Sequence, residues 1–178
     1  MGKTITDTFT ASEVAALTGM NVDTLRVWRR RGYFSLTGEG SGWTRFTFGD
    51  VLKIATFNQM LDNFFTHDAA EVVTANCTAQ FAKILGGTEE TPPPYLVFGR
   101  GADGDVLFEI VDGIENLGRQ IVAISARAGE KHATLHVVDY ASILSRVMIR
   151  LREVNERSRP LRDAVAATNA RRASEPEA

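Results

Sequence analysis

Four of the seven basic residues in the first 59 positions lie between Arg26 and Arg31, in the run RVWRRR. Guanidinium groups at this density suit one kind of chemistry, because each stays charged and offers a rigid fork of N–H donors to a phosphate or to the edge of a guanine. Asp23 and Thr24 stand just ahead of them, with short polar side chains of the kind that reach base edges. A second group, Trp43, Thr44 and Arg45, follows a stretch rich in glycine. The candidate DNA-contacting residues are therefore Asp23, Thr24, Arg26, Val27, Arg30, Arg31, Trp43, Thr44 and Arg45. In this reading Thr24, Arg26, Val27 and Arg30 enter a major groove, Arg31 and Arg45 hold phosphates, and Trp43 and Thr44 set the segment that carries Arg45.

Those side chains need a rigid frame, and the flanking sequence predicts one. Thr10 and Glu13 have the spacing of a capping box, which starts a helix at Ala11, and Gly19 offers the positive φ that ends it near Thr18. Asn21 is a good N-cap for a second helix, and Gly32 a good terminator. Val22, Leu25 and Trp28 fall three apart on the face expected to pack inward, so the arginines point out. Next comes SLTGEGSGWTRFTF, two short strand-forming runs separated by Gly38, Gly40 and Gly42, which predicts a β-hairpin or wing. From Asp50 the pattern is helical again, through Val51, Leu52, Ile54, Ala55, Phe57, Met60 and Leu61 to about Phe65.

The pattern alone leaves two readings open. A basic helix after a tight turn suits a major groove. Helix-turn-helix geometry also serves protein-interaction modules, and Arg29-Arg30-Arg31 is also what a solvated face looks like.

The segment resembles the winged-helix DNA-binding domain of the MerR superfamily, which includes phage excisionase-like proteins. The matching residues are Phe9-Thr10-Ala11-Ser12-Glu13-Val14-Ala15, Val22, Thr24-Leu25-Arg26, Trp28, Gly32, the pair Arg45-Phe46, and Asp50-Val51. The resemblance implies that these positions carry a recognition helix, its phosphate contacts and a wing anchor. It covers about the first third of the chain. Regulators of this family often have two adjacent aromatics and an acid after the arginine; Val27-Trp28-Arg29 departs from that toward the excisionase type, and the glycine-rich wing is longer than the compact family form.

The chain has 178 residues, 44% of them apolar, enough for one ordinary domain or two small ones. The formal charge is only -2, but it is unevenly spread. Residues 60–139 hold five basic and twelve acidic side chains, and residues 140–172 hold eight arginines against three acids. An acidic middle between basic ends is compatible with DNA at the ends and a protein partner at the middle or the C-terminal domain. No apolar run approaches the roughly 20 residues that span a bilayer, and the N-terminus lacks the apolar core of a signal peptide, so a cytoplasmic location and no membrane association are expected. Cys77 is the only cysteine. It excludes an internal disulfide and multi-thiol metal sites, and it reads as a core position. His67, His132 and His136 lack carboxylate partners at ligand spacing. No metal and no cofactor are predicted.

Asp68 with Glu71 has cap spacing for the next helix. Its apolar stripe runs through Val72, Val73, Ala75, Cys77, Phe81, Ile84 and Leu85 to Gly86-Gly87. TEETPPP, residues 88–94, excludes helix and reads as a linker. Beyond it YLVFGRG and VLFEIVDG predict two strands joined at Asp103-Gly104. Ile114 to Gln120 reads as one helical turn, and IVAISARAG and ATLHVVD as two further strands joined near Gly129-Glu130-Lys131. Four strands are expected in one antiparallel sheet, with Leu96, Phe98, Leu107, Ile110, Val122, Ile124, Leu135 and Val137 inward. Asp139 caps a last helix with heptad spacing through Leu144, Val147, Leu151, Val154, Ser158, Leu161 and Val165. Pro160 is expected to kink or stop it near Arg159. The stripe packs on the sheet or joins two copies.

The predicted fold class is α+β. An N-terminal MerR-like winged helix-turn-helix spans residues 1–65, and a connecting helix with a Pro-rich linker spans 66–94. An α+β assembly or effector domain spans 95–159, and a disordered tail is expected over 160–178. No G-x-S-x-G, P-loop or H-E-x-x-H is present, so no enzyme is predicted. The function expected is a sequence-specific double-stranded DNA-binding transcriptional regulator acting as a homo-oligomer, a dimer. The alternatives are a phage-derived architectural or DNA-packaging factor, of excisionase or terminase small-subunit type, and a protein-interaction adaptor.

Overall fold

The computed structural model describes residues 3–33, 45–63, 65–76, 95–101, 103–128 and 135–174. The wing loop with Trp43 and Thr44, Cys77 and the later part of its stripe, the TEETPPP linker and the Gly129-Glu130-Lys131 turn lie outside these residues. The described elements are α1 (Ala11–Thr18), α2 (Val22–Arg30), α3 (Phe48–Asp62), α4 (His67–Asn76), β1 (Tyr95–Arg100), β2 (Val106–Val111), α5 (Ile114–Ala128), β3 (Leu135–Asp139) and α6 (Tyr140–Ser174).

Local chemistry sets most helix starts. The Thr10 hydroxyl accepts from the Glu13 N–H at 3.3 Å, and the Glu13 carboxylate takes the Thr10 N–H at 2.7 Å, so the expected capping box closes. A second box, Thr47 with Asp50, starts α3 two residues earlier than its apolar pattern indicates. Asp68 does not cap α4. The Thr66 hydroxyl takes the Ala69 N–H instead, so Asp68 lies inside the first turn, where its charge favours the helix dipole. On α4, Val73 faces the core, while Val72, expected in the stripe, is exposed.

The sheet has three strands in the order β2-β1-β3, antiparallel throughout, with Phe98 opposite Phe108 on one side and His136 on the other. The β1–β2 hairpin closes where the sequence places it, with Gly104 at φ 91°. The predicted fourth strand is a correction: IVAISARA belongs to α5, a 15-residue helix. Its β-branched residues suggest a strand, but Leu117, Ile121, Ile124 and Ala128 recur at four, three and four, and this stripe is what α5 lays on the sheet. Val122, expected inward, is therefore 69% exposed, and Val137 on edge strand β3 is 44% exposed. Since β2 and β3 both run against β1, they are parallel to each other, and α5 is the crossover that such a pair needs.

The two faces of the sheet do different work. Val97 and Val111 face α5, while Leu96, Phe98 and Val138 join the same core as Phe9, Leu17, Leu25, Trp28 and Phe57. The helix-turn-helix and the sheet thus share one core. Helix α6 is a second correction. Its Ile143, Val147 and Leu151 are buried in that core, and the helix packs on α1 and α3 rather than on the sheet. Nor does it stop at Arg159; it continues through Pro160 to Ser174. Both Pro160 and Glu156 are exposed, and on an exposed stretch water can take the carbonyl that a proline leaves unbonded, which lowers the penalty.

Candidate nucleic-acid interface

The second helix of the helix-turn-helix is built to present cations. The Asn21 side chain accepts the N–H groups of Asp23 at 2.8 Å and Thr24 at 3.4 Å, which fixes where α2 begins. Between the helices lies a three-residue turn, opened by Gly19 at φ 76°. Leu25 and Trp28 are buried, and Val22 is half-buried beside them. Trp28 meets Phe57 edge to face at 5.0 Å and His67 at 5.3 Å, and Tyr33 lies 5.1 Å from His67. This aromatic cluster ties α2 to α3 and α4. It also gives His67 a packing role.

With α2 anchored on that face, Asp23, Arg26 and Arg30 emerge opposite, within about 60° of one another at 3.6 residues per turn. All three are exposed, as is Arg31. Thr24 is half-buried, and Val27 is half-buried and packed against the core, so Val27 can offer only its rim to a ligand. Arg29 is exposed as well and was not among the candidates. It stands three residues after Arg26, a spacing that puts the two side by side on a helix.

Arg26 and Asp23 pair at 2.9 Å, with 59% and 77% of their side chains exposed. Such a pair contributes at most about 1 kcal/mol, so Arg26 is held but easily redirected. Arg45 is exposed immediately before Phe46, which is buried and exchanges two backbone hydrogen bonds with Phe9, at 2.8 and 2.9 Å. The backbone that carries Arg45 is thereby pinned beside the start of α1. Trp43 and Thr44 lie outside the described residues.

Among the described residues no cluster of His, Cys, Asp or Glu is arranged to hold a metal ion, and no helix is long and apolar enough to cross a membrane. No curated protein matches the chain. A family model described as MerR HTH family regulatory protein matches residues 9–76, the stretch from Phe9 before α1 to the end of α4. The α+β chain therefore carries, at its N-terminus, a MerR-like helix-turn-helix domain of the DNA-binding regulatory kind.

Proposed function

We propose that the protein is a sequence-specific double-stranded DNA-binding transcriptional regulator that acts in the cytoplasm as a dimer. The observation that carries this reading is the two-sidedness of α2, where Leu25 and Trp28 are buried and Arg26, Arg29 and Arg30 exposed, within a segment matched by the family. In this reading Arg26 and Arg30 reach base edges and phosphates in the major groove, Thr24 contributes a hydroxyl near the helix start, and Arg31 and Arg45 hold backbone phosphates. Trp43 and Thr44 are assigned to the wing. A module of this size makes few base contacts, so useful specificity calls for two half-sites and two copies. Supporting a dimer, the outer side of α6 leaves Met148 at 41% and Ile149 at 59% exposure, with Ile5 at 42%; together they line a groove of about 660 Å³. Regulatory domains of this family are typically not enzymes, and no catalytic role is assigned.

The test is sequencing of crosslinked DNA from cells carrying the wild-type chain or the Arg26→Ala, Arg30→Ala double variant. Sharp peaks that share an inverted repeat and vanish in the variant are expected. Peaks that persist unchanged would show that α2 does not read the sequence.

A further inference from the structure

Helix α6 reaches into the helix-turn-helix at the end of α1. The Arg150 guanidinium donates to the Leu17 carbonyl at 3.2 Å, across 133 residues of sequence. Leu17 stands in the last turn of α1, whose final carbonyls have no helical N–H to accept from. A cation there also complements the negative end of the helix dipole. The same guanidinium lies against Gly19, where a Cβ would meet Nη1 at 2.6 Å, Nη2 at 2.9 Å and Cζ at 3.0 Å. Gly19 thus does two things: it adopts the positive φ that turns the chain, and it leaves the space in which Arg150 sits. One turn earlier on α6, Arg146 donates to Gln59 Oε1 on α3 at 2.7 Å. The apolar docking of α6 on α1 and α3 rests on Ile143, Val147 and Leu151. The bond from Arg150 adds direction to that docking, and it acts on the turn that sets how α2 leaves α1.

We propose that Arg150 is a positioning residue for the reading head: it fixes the α1–α2 turn from outside, so that the placement of α6 sets the angle at which Arg26 and Arg30 are presented. This rests on the DNA-binding reading above. It gives the C-terminal half of the chain a mechanical route to the DNA-contacting face, through a polar contact that a small displacement of α6 breaks.

The experiment uses the full chain with Arg150→Ala and Arg150→Lys. It measures affinity for a selected specific duplex and for a mixed-sequence duplex over a salt series, together with amide exchange at Gly19–Thr24. Arg150→Ala is expected to weaken specific binding roughly 3- to 30-fold, to leave mixed-sequence binding and its salt slope unchanged, and to speed exchange at the turn. Arg150→Lys restores part of both, because its ammonium still donates to the Leu17 carbonyl. Equal losses on both duplexes with a salt slope smaller by about one charge would make Arg150 a phosphate contact instead. Wild-type affinity and wild-type exchange in Arg150→Ala would overturn the proposal. If the wild-type chain prefers no duplex, the DNA reading fails, and the exchange measurement by itself decides whether Arg150 holds the turn.

Discussion

Phe65, just past the end of α3, meets Phe98 of the central strand edge to face with ring centroids 4.6 Å apart. His136 of β3 stacks on Phe98 at 5.3 Å and 20° and meets Phe65 edge to face at 5.3 Å, so the three rings form one cluster. Through these rings the sheet is built into the core of the DNA-binding domain. Phe98 is fully buried, and truncating such a ring costs about 3–5 kcal/mol. Phe98→Ala is therefore expected to lower a single cooperative melting transition by about 10 °C, with the helical and sheet signals moving together. Two transitions, of which only one shifts, would show that the units melt independently.

The helix-turn-helix and the β1–β2 hairpin are legible in the sequence because their signals are local. Thr10 and Glu13, Asn21, and Asp103-Gly104 each specify a cap or turn within four residues. The structure of α5 is less legible: Ile121, Val122 and Ile124 satisfy a strand pattern locally, and only the longer repeat from Leu117 to Ala128 separates the two. For α6, the heptad identifies a buried stripe but carries no information about what buries it. The contact between Arg150 and Gly19 leaves no local mark at all, since it depends on a fold that brings the end of α1 against the last helix.

Glu13 ties α1 to the N-terminal segment, and its charge makes the fold sensitive to acid. Its partial burial works to raise its pKa, but the Thr10 N–H, the Lys3 ammonium at 3.0 Å and the Thr10 hydroxyl outweigh this and hold the carboxyl below its ordinary 4.5. A depressed carboxylate pKa contributes stability that is complete above the ordinary value and disappears as pH falls through the folded value. Glu13→Gln is thus expected to be less stable than the wild type near neutral pH, with the difference closing below pH 4.5. Chemical denaturation at a series of pH values checks this. A difference that stays constant into acid would mean that Glu13 acts through shape alone.

In the proposed complex, Asp23 and a DNA phosphate would compete for Arg26. The carboxylate sits 2.9 Å from the guanidinium on the exposed side of α2 and repels an approaching phosphate. It also favours the helix N-terminus by about 0.3–1 kcal/mol. Asp23→Ala is expected to tighten binding to mixed-sequence duplex by roughly two- to ten-fold at low salt, at a small cost in thermal stability. Equilibrium titration of a labelled duplex measures the change. If affinity falls, Asp23 makes a favourable base contact of its own, and its place among the base-reading residues is direct.

The proposed dimer makes its sharpest prediction at Ile149. Ile143, Val147 and Leu151 are already spent on α1 and α3, so a second copy docking through α6 would use its other side, where Ile149 is 59% exposed beside Met148 and Ile5. An exposed residue away from the core contributes within about 0.5 kcal/mol to the monomer's stability. A charge there is tolerated by the isolated fold but not by an apolar interface, where it is buried without a partner. Ile149→Asp is therefore expected to leave the melting temperature of dilute protein unchanged, to shift sedimentation from dimer to monomer, and to abolish cooperative binding to an inverted repeat while single half-sites still bind. Wild-type protein that sediments as a monomer at all concentrations would remove this surface from the account, and a dimer that survives the substitution would place the interface elsewhere on the chain.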